Sequence, residues 1–207
     1  NYLGGMSGLI LTPDHVIVPH RVGEASFHQS VNAVQGGSLN AWGANYGLAQ
    51  NLEVGLSWLA ATGENDLALN GKYQMIRENE SSPAVLVGVF DALGIADIVN
   101  GNPSLYILAS KNVTSMVSDV SSVPSSPIRL NLGLGSGVYS GVFGGIDWLA
   151  SDKWRVMAEY TNGEFGDERR LWNMGARYAI ADQWRLDAAL LKLQHFAFGV
   201  NYRTAFD

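Results

Sequence analysis

Apolar and polar residues alternate along most of this chain, and helical spacing is scarce. Ile128, Leu130, Leu132 and Leu134 alternate with Arg129, Asn131, Gly133 and Gly135, and Trp172, Met174, Ala176, Tyr178 and Ile180 with Asn173, Gly175 and Arg177. Trp184, Leu186, Ala188 and Leu190 alternate with Arg185 and Asp187. The last segment sets Phe196, Phe198, Val200, Tyr202 and Phe206 on one face and Gly199, Asn201 and Arg203 on the other. Cutting the pattern at its turn residues predicts about twelve strands, over residues 21–34, 38–48, 52–62, 67–77, 83–93, 104–113, 127–136, 139–149, 153–162, 170–180, 184–193 and 194–206. The breakers include Gly63–Asp66, Asn79–Pro83 and Asn100–Pro103, and the Ser- and Val-rich Thr114–Pro127 gap reads as a loop or a short hidden element.

An internal repeat predicts register. The stretches 43–52, 145–154 and 175–184 share an aliphatic residue, Ala, two polar residues and a new strand. Three-residue loops at 49–51, 150–152 and 181–183 would pair Leu48 with Leu52, Trp148 with Trp154 and Ile180 with Trp184. The same count sets Asp147 opposite Arg155 and Arg177 opposite Asp187 on the other face, and opposite charges meet in both. In an up-and-down meander the three loops share one end.

Composition narrows the class. Charged residues make up 15%, well below the roughly 25% of an ordinary soluble domain, which with 24 Gly excludes a disordered or coiled-coil chain. Lys and Arg total 13 against 19 Asp and Glu, so no basic field draws nucleic acid. The absence of Cys removes disulfides and thiolate sites. No apolar run approaches a membrane-spanning helix. Residue 1 is Asn with no basic and apolar leader, so any signal peptide is expected to have been removed already.

A soluble barrel would bury the apolar face, whereas a membrane barrel turns it to lipid and keeps the charges within. The membrane reading is the better supported. Lys72, Arg129, Asp147, Arg155, Glu159, Arg177, Arg185, Asp187 and Arg203 share the face of small Gly and Ser residues, as a confined polar lumen requires. Tyr46, Trp148, Trp154, Tyr178 and Trp184 lie at strand ends beside the short turns, where an interfacial aromatic girdle belongs. The opposite end is expected to carry the wider Ala92–Pro103 and Thr161–Arg169 connections. Tyr202 and Phe206 end the chain like the C-terminal signal of bacterial outer-membrane barrels, although Asp207 follows. The expected fold is therefore an all-β, antiparallel up-and-down transmembrane β-barrel over 21–207, in a bacterial outer membrane and in contact with its lipid. Residues 1–20, with Leu9, Ile10, Leu11 and Val16–Val18, are expected to plug the lumen or pack at the periplasmic mouth.

Several stretches resemble the YjbH-like outer-membrane barrels, a family linked to exopolysaccharide or capsule secretion. They are Gly8-Leu9-Ile10 with Pro13, Leu132-Gly133 to Gly137, Phe143-Gly144-Gly145, the Ala150–Trp154 turn and Ala158-Glu159-Tyr160. The resemblance implies a barrel with other envelope or polysaccharide-export proteins as partners, and it carries no active-site motif.

Candidate chemistry is sparse. Gly133-Leu134-Gly135-Ser136-Gly137 lacks the Lys-Ser/Thr and the helix of a phosphate loop and reads as a glycine-rich strand end. His15, His20, His28 and His195 lack metal-ligand spacing, and no cofactor is implied. A barrel hydrolase would need His28 and His195 in one wall beside an oriented third group. The inward charges carry two readings: a constriction that selects permeants by charge, or mutual neutralisation that fills a narrow lumen and pins register. The expected function is a small mixed-charge channel or exopolysaccharide-export-associated pore, with a non-conducting structural barrel that anchors a larger envelope assembly as the alternative.

Overall fold

The computed structural model describes residues 7–34, 37–61, 63–99, 101–114, 127–163 and 170–206. Twelve strands follow one another in the chain: β1 Val22–Val34, β2 Gly37–Ala49, β3 Leu52–Ala61, β4 Glu64–Ile76, β5 Ala84–Phe90, β6 Ser104–Asn112, β7 Ile128–Gly135, β8 Gly141–Leu149, β9 Trp154–Thr161, β10 Leu171–Ala179, β11 Trp184–Leu191 and β12 His195–Ala205. Each pairs antiparallel with its chain neighbours, and β1 closes on β12 from Val22↔Ala205 to Ser30↔Ala197. The result is the up-and-down barrel that the alternation predicted. Closure leaves no edge strand unpaired, a requirement for backbone crossing a medium without water.

The two faces differ as the pattern demands. Leu56, Leu69, Leu105, Ile107, Leu130, Leu132, Ile146, Met174 and Leu190 are exposed around the exterior, each flanked in sequence by an inward residue. An exposed apolar surface that runs round the whole wall is what a lipid-facing belt looks like. Aromatic pairs lie along it towards both ends. Trp154 packs on Tyr178 at 4.7 Å and Trp184 on Tyr202 at 4.7 Å near the end where β1 starts and β12 stops, here called proximal. Tyr160 packs on Trp172 at 5.0 Å towards the distal end.

Register follows turn length, and four turns differ from expectation. Arg177 does pair with Asp187, and Tyr46 with Val54, but a bulge after Gly47 sets Ala49 rather than Leu48 against Leu52. The β8–β9 connection spans 150–153, so Leu149 pairs with Arg155, Asp147 with Met157 and Trp148 with Val156. Trp154 instead faces Tyr178 on β10. β4 begins at Glu64, because Gly63 at φ 89° turns the chain tightly and the polar Glu64-Asn65-Asp66 pair back onto Ala61, Ala60 and Leu59. Between β11 and β12, Lys192 and Leu193 at φ 55° and 56° form a two-residue turn closed by the Gln194 N–H on the Leu191 carbonyl at 2.9 Å. Such a turn usually takes Asn-Gly, which explains why alternation alone ran the two strands together.

The three repeated turns share the proximal end, and the β5–β6 and β9–β10 connections fall at the distal end, as expected. The division is not complete, because the long β6–β7 connection joins strands at the proximal end and the tight Lys192–Gln194 turn falls at the distal end. Residues 115–126 and 164–169, and with them the readings of the Thr114–Pro127 gap and of most of Thr161–Arg169, lie outside the described residues. Leu132, 63% exposed at mid-strand in β7, tests the orientation of the wall. Leu132→Arg is expected to cost about 2–4 kcal/mol in urea unfolding from lipid vesicles if it faces the bilayer midplane; an unchanged midpoint would set that face against water.

Candidate functional site

The inward face is divided along the barrel axis. Towards the distal end it is packed with rings, Phe90, Tyr106, Tyr139 and Phe143, among buried polar residues such as Asn70, Asp91 and Ser104, and Tyr106 and Tyr139 meet edge to face at 5.2 Å. Wall glycines make room for these rings. A Cβ at Gly133 would collide with the Phe143 ring, and one at Gly88 with Tyr106. The glycine-rich run at 133–137 is thus a packing device at a strand end.

Residues 7–18 lie against the inner wall of the barrel, and Pro19 and His20 are exposed where the segment leads into β1. The Leu9 N–H donates to the Thr12 carbonyl at 2.9 Å and Gly8 bridges Pro13, forming a tight reversal. The reversal presents Leu9 to Gly145 and Ile10 to Gly175, where added Cβ atoms would come within 2.6 and 3.2 Å of the two δ carbons. Its amides converge on one carboxylate. Ile10, Leu11 and Thr12 N–H donate to Glu159 at 3.1, 2.7 and 3.1 Å, the Thr12 hydroxyl at 2.7 Å and Asn173 Nδ2 at 2.8 Å. A turn of successive N–H groups is an anion-binding concavity, and here the anion is a wall side chain.

A second anchor holds the strand-ward part of the segment. Glu53 accepts the Ser7 N–H at 2.8 Å, the Ser7 hydroxyl at 2.7 Å and the Val18 N–H at 2.9 Å. Lys72, opposite Glu53 across β3 and β4, donates to the Ser7 carbonyl at 2.7 Å and sits 3.8 Å from both Glu53 and Asp14. Glu53, Lys72 and Glu159 are each at most 1% exposed. Buried charges at this depth require such full sets of partners.

Towards the proximal end a cavity of ≈ 840 Å³ remains, lined by residues of the short turns, the inner wall and the inserted segment. Arg129, Arg155, Arg177, Arg185 and Arg203 come to it from β7, β9, β10, β11 and β12. Most have an acid beside them. Arg155 forms a two-pronged pair with Asp147, diagonal to it in the sheet, and lies 3.6 Å from Asp14. Arg177 pairs with Asp187 at 2.7 Å, and Arg203 with Glu24 at 2.5 Å. Among the described residues Arg185 has only that same Glu24, at 3.8 Å. Arg129 meets Glu78 at 2.5 Å in the β4–β5 connection. Partial burial pulls the Glu78 carboxyl up, but the Asn112 N–H and the Arg129 guanidinium outweigh it and hold the group below its ordinary value.

The nine inward charges therefore fall into two groups. Lys72 and Glu159 hold the inserted segment, whereas Arg129, Asp147, Arg155, Arg177, Arg185 and Arg203 line the cavity with Asp187 behind Arg177. Sequence reasoning missed Glu53, Glu24, Glu78 and Asp14. Glu53 had a usable signal in its opposition to Lys72, lost because the β3–β4 turn was drawn too long. His28 hydrogen-bonds Asp187 at 3.0 Å from β1, while His195 starts β12 beyond the Ser30↔Ala197 pair, so the two do not share a site. Tyr46, Trp148, Trp154, Tyr178 and Trp184 all lie near the proximal end of the outer wall, and Tyr46 packs on Phe206 at 6.1 Å. Phe206 is further tied by its N–H to the Arg21 carbonyl at 2.7 Å, and Tyr202 pairs with Ala25 and Trp184.

The architecture has solved counterparts. The KdgM porin superposes with a TM-score of 0.58 at 12% identity, over 90% of this chain and 99% of that one. A structure described as KdgM porin in complex with disordered oligogalacturonate gives 0.55 at 12% identity, over 90% and 99%. The NanC porin gives 0.50 at 8%, over 89% and 100%. The chain has the fold of these outer-membrane porins, a closed antiparallel β-barrel with an apolar exterior belt. Residues 135–207, about a third of the chain, match the YjbH family, described as exopolysaccharide biosynthesis protein YbjH. The Phe143–Gly145, Ala150–Trp154 and Ala158–Tyr160 motifs fall inside that match, while Gly8–Pro13 and Leu132-Gly133 fall outside it. No curated protein sequence matches the chain.

The Glu159 anchor yields a direct test. Glu159→Ala leaves the amides of Ile10, Leu11 and Thr12 without their acceptor, at about 1–3 kcal/mol for each group left unsatisfied. The segment is expected to leave the wall, seen as new protease cleavage within residues 7–20 and faster exchange of those three amides, with Glu159→Gln intermediate.

Proposed function

We propose that this chain is a small mixed-charge pore of the outer membrane, associated with exopolysaccharide export and plugged by its N-terminal segment. The observation that carries the reading is the arginine-rimmed cavity at the proximal end of a lipid-facing barrel. Residues 1–20 act as the plug and 21–207 as the barrel. Arg129, Asp147, Arg155, Arg177, Arg185 and Arg203 set the charge preference of the lumen, and Lys72, Glu159 and Asp187 line the path opened when the plug leaves. The YjbH match supports the link to exopolysaccharide, with other polysaccharide-export or envelope proteins as partners. An oligogalacturonate complex of the structurally similar KdgM porin supports an acidic glycan as permeant. Passage needs no covalent step; the wall charges replace part of the permeant's hydration.

One observation favours a second reading, a non-conducting barrel that seals or anchors a larger assembly: the distal interior is packed with Phe90, Tyr106, Tyr139 and Phe143. Conductance in planar bilayers separates the two. A variant lacking residues 1–18 is expected to show larger and longer openings than the full chain, and Arg155→Ala to shift ion selectivity towards cations. Folding into the bilayer with no current from any of the three would establish the structural barrel.

A further inference from the structure

The inner end of the proximal cavity holds polar atoms whose bonding capacity the fold does not use. Asp14 is 1% exposed and lines the cavity, yet its Oδ2 makes no hydrogen bond among the described residues; Arg155 Nη1 stands 3.6 Å away. The neighbouring His15 also lines the cavity, and its buried Nδ1 is likewise without a hydrogen bond. The Glu159 and Glu53 carboxylates, by contrast, are filled by bonds of 2.7–3.1 Å. A buried acceptor left open at a cavity wall calls for a hydroxyl, from water or from a ligand.

The outer part of the same cavity has the complementary surplus. Arg185 and Arg203 share the carboxylate of Glu24, and Arg203 takes it at 2.5 Å, leaving Arg185 3.8 Å away on the lining of the cavity. Planar guanidinium donors in that position suit a carboxylate. A volume of ≈ 840 Å³ lies within the roughly 300–1,000 Å³ of ligand pockets.

We infer that the cavity is a binding site for a sugar acid, whose hydroxyls meet Asp14, His15 and Arg155 and whose carboxylate meets Arg185 and Arg203. The inference rests on the reading of residues 7–20 as a plug and adds to it a ligand and a direction. Half of the site belongs to the plug and half to the wall, so the ligand binds the docked state alone. A ligand that favours one state shifts the equilibrium towards it. The sugar acid is a closing ligand that holds the plug in place, distinct from the polymer that passes.

The test is calorimetric titration of the refolded full chain in detergent with D-glucuronate, D-glucose and acetate. Glucuronate is expected to bind saturably and to protect residues 7–20 from protease, with glucose and acetate each roughly tenfold weaker or worse, the loss of one charge-assisted or buried hydrogen bond. Arg185→Gln, which removes no hydrogen bond of the resting wall, is expected to weaken glucuronate by a similar factor, and Glu159→Ala to abolish binding by undocking the plug. Equal binding of acetate or glucose, full affinity in Arg185→Gln, or full affinity in Glu159→Ala would each overturn the inference. Glucuronate binding of the expected kind in a barrel that never conducts would leave the site standing and remove the pore.

Discussion

A backbone that crosses lipid must satisfy every N–H and C=O within itself, and closure of β1 on β12 is how this chain does so. Everything else follows from that ring of hydrogen bonds. Once the sheet is closed, side-chain alternation becomes a division between lipid and lumen, and an apolar residue on the outer face costs nothing that it would cost in water. The exposed Leu, Ile and Trp of the exterior are therefore stabilised by their surroundings, and the charged residues are driven inward.

A twelve-stranded ring encloses more space than its own side chains fill. The chain handles the surplus differently at the two ends. Distally, large rings are admitted by glycines on neighbouring strands, as with Phe143 over Gly133, and the interior is packed. Centrally, the N-terminal segment is inserted, and Gly145 and Gly175 receive Leu9 and Ile10. Proximally, the space is left as a cavity whose charges are only partly balanced. This gradient runs from a filled interior at the distal end to open space at the proximal end.

Holding the segment by charges has an energetic logic. Glu53, Lys72 and Glu159 are buried on the wall, and charges so placed are tolerated only with near-complete hydrogen bonding. The segment supplies that bonding through backbone amides, carbonyls and the Ser7 and Thr12 hydroxyls. Water could take the same positions on the wall, so the contact is an exchange of polar partners, with the apolar part of it chiefly Leu9, Ile10 and Leu11.

The strand count, the lipid-facing exterior and the Arg177–Asp187 pair were legible because each depends on local alternation and on turns that leave a mark in the residue pattern. Register elsewhere was less legible. A turn longer or shorter by one or two residues moves every pair beyond it, so Asp147 meets Arg155 diagonally rather than across, and the Glu53–Lys72 pair stayed hidden behind a turn drawn too long. The partition of the inward charges was not legible at all. Glu159 and Arg155 lie four positions apart on one strand face, yet one binds the amides of residues 10–12 and the other borders the cavity, because the inserted segment turns its amides onto the first and sets only the Asp14 carboxylate, at 3.6 Å, beside the second. The sequence by itself determined the strands and which face of each meets lipid, since these are periodic along the chain. Only the tertiary structure decided which charges are closed off and which remain open, since that depends on contacts between residues nearly 150 positions apart.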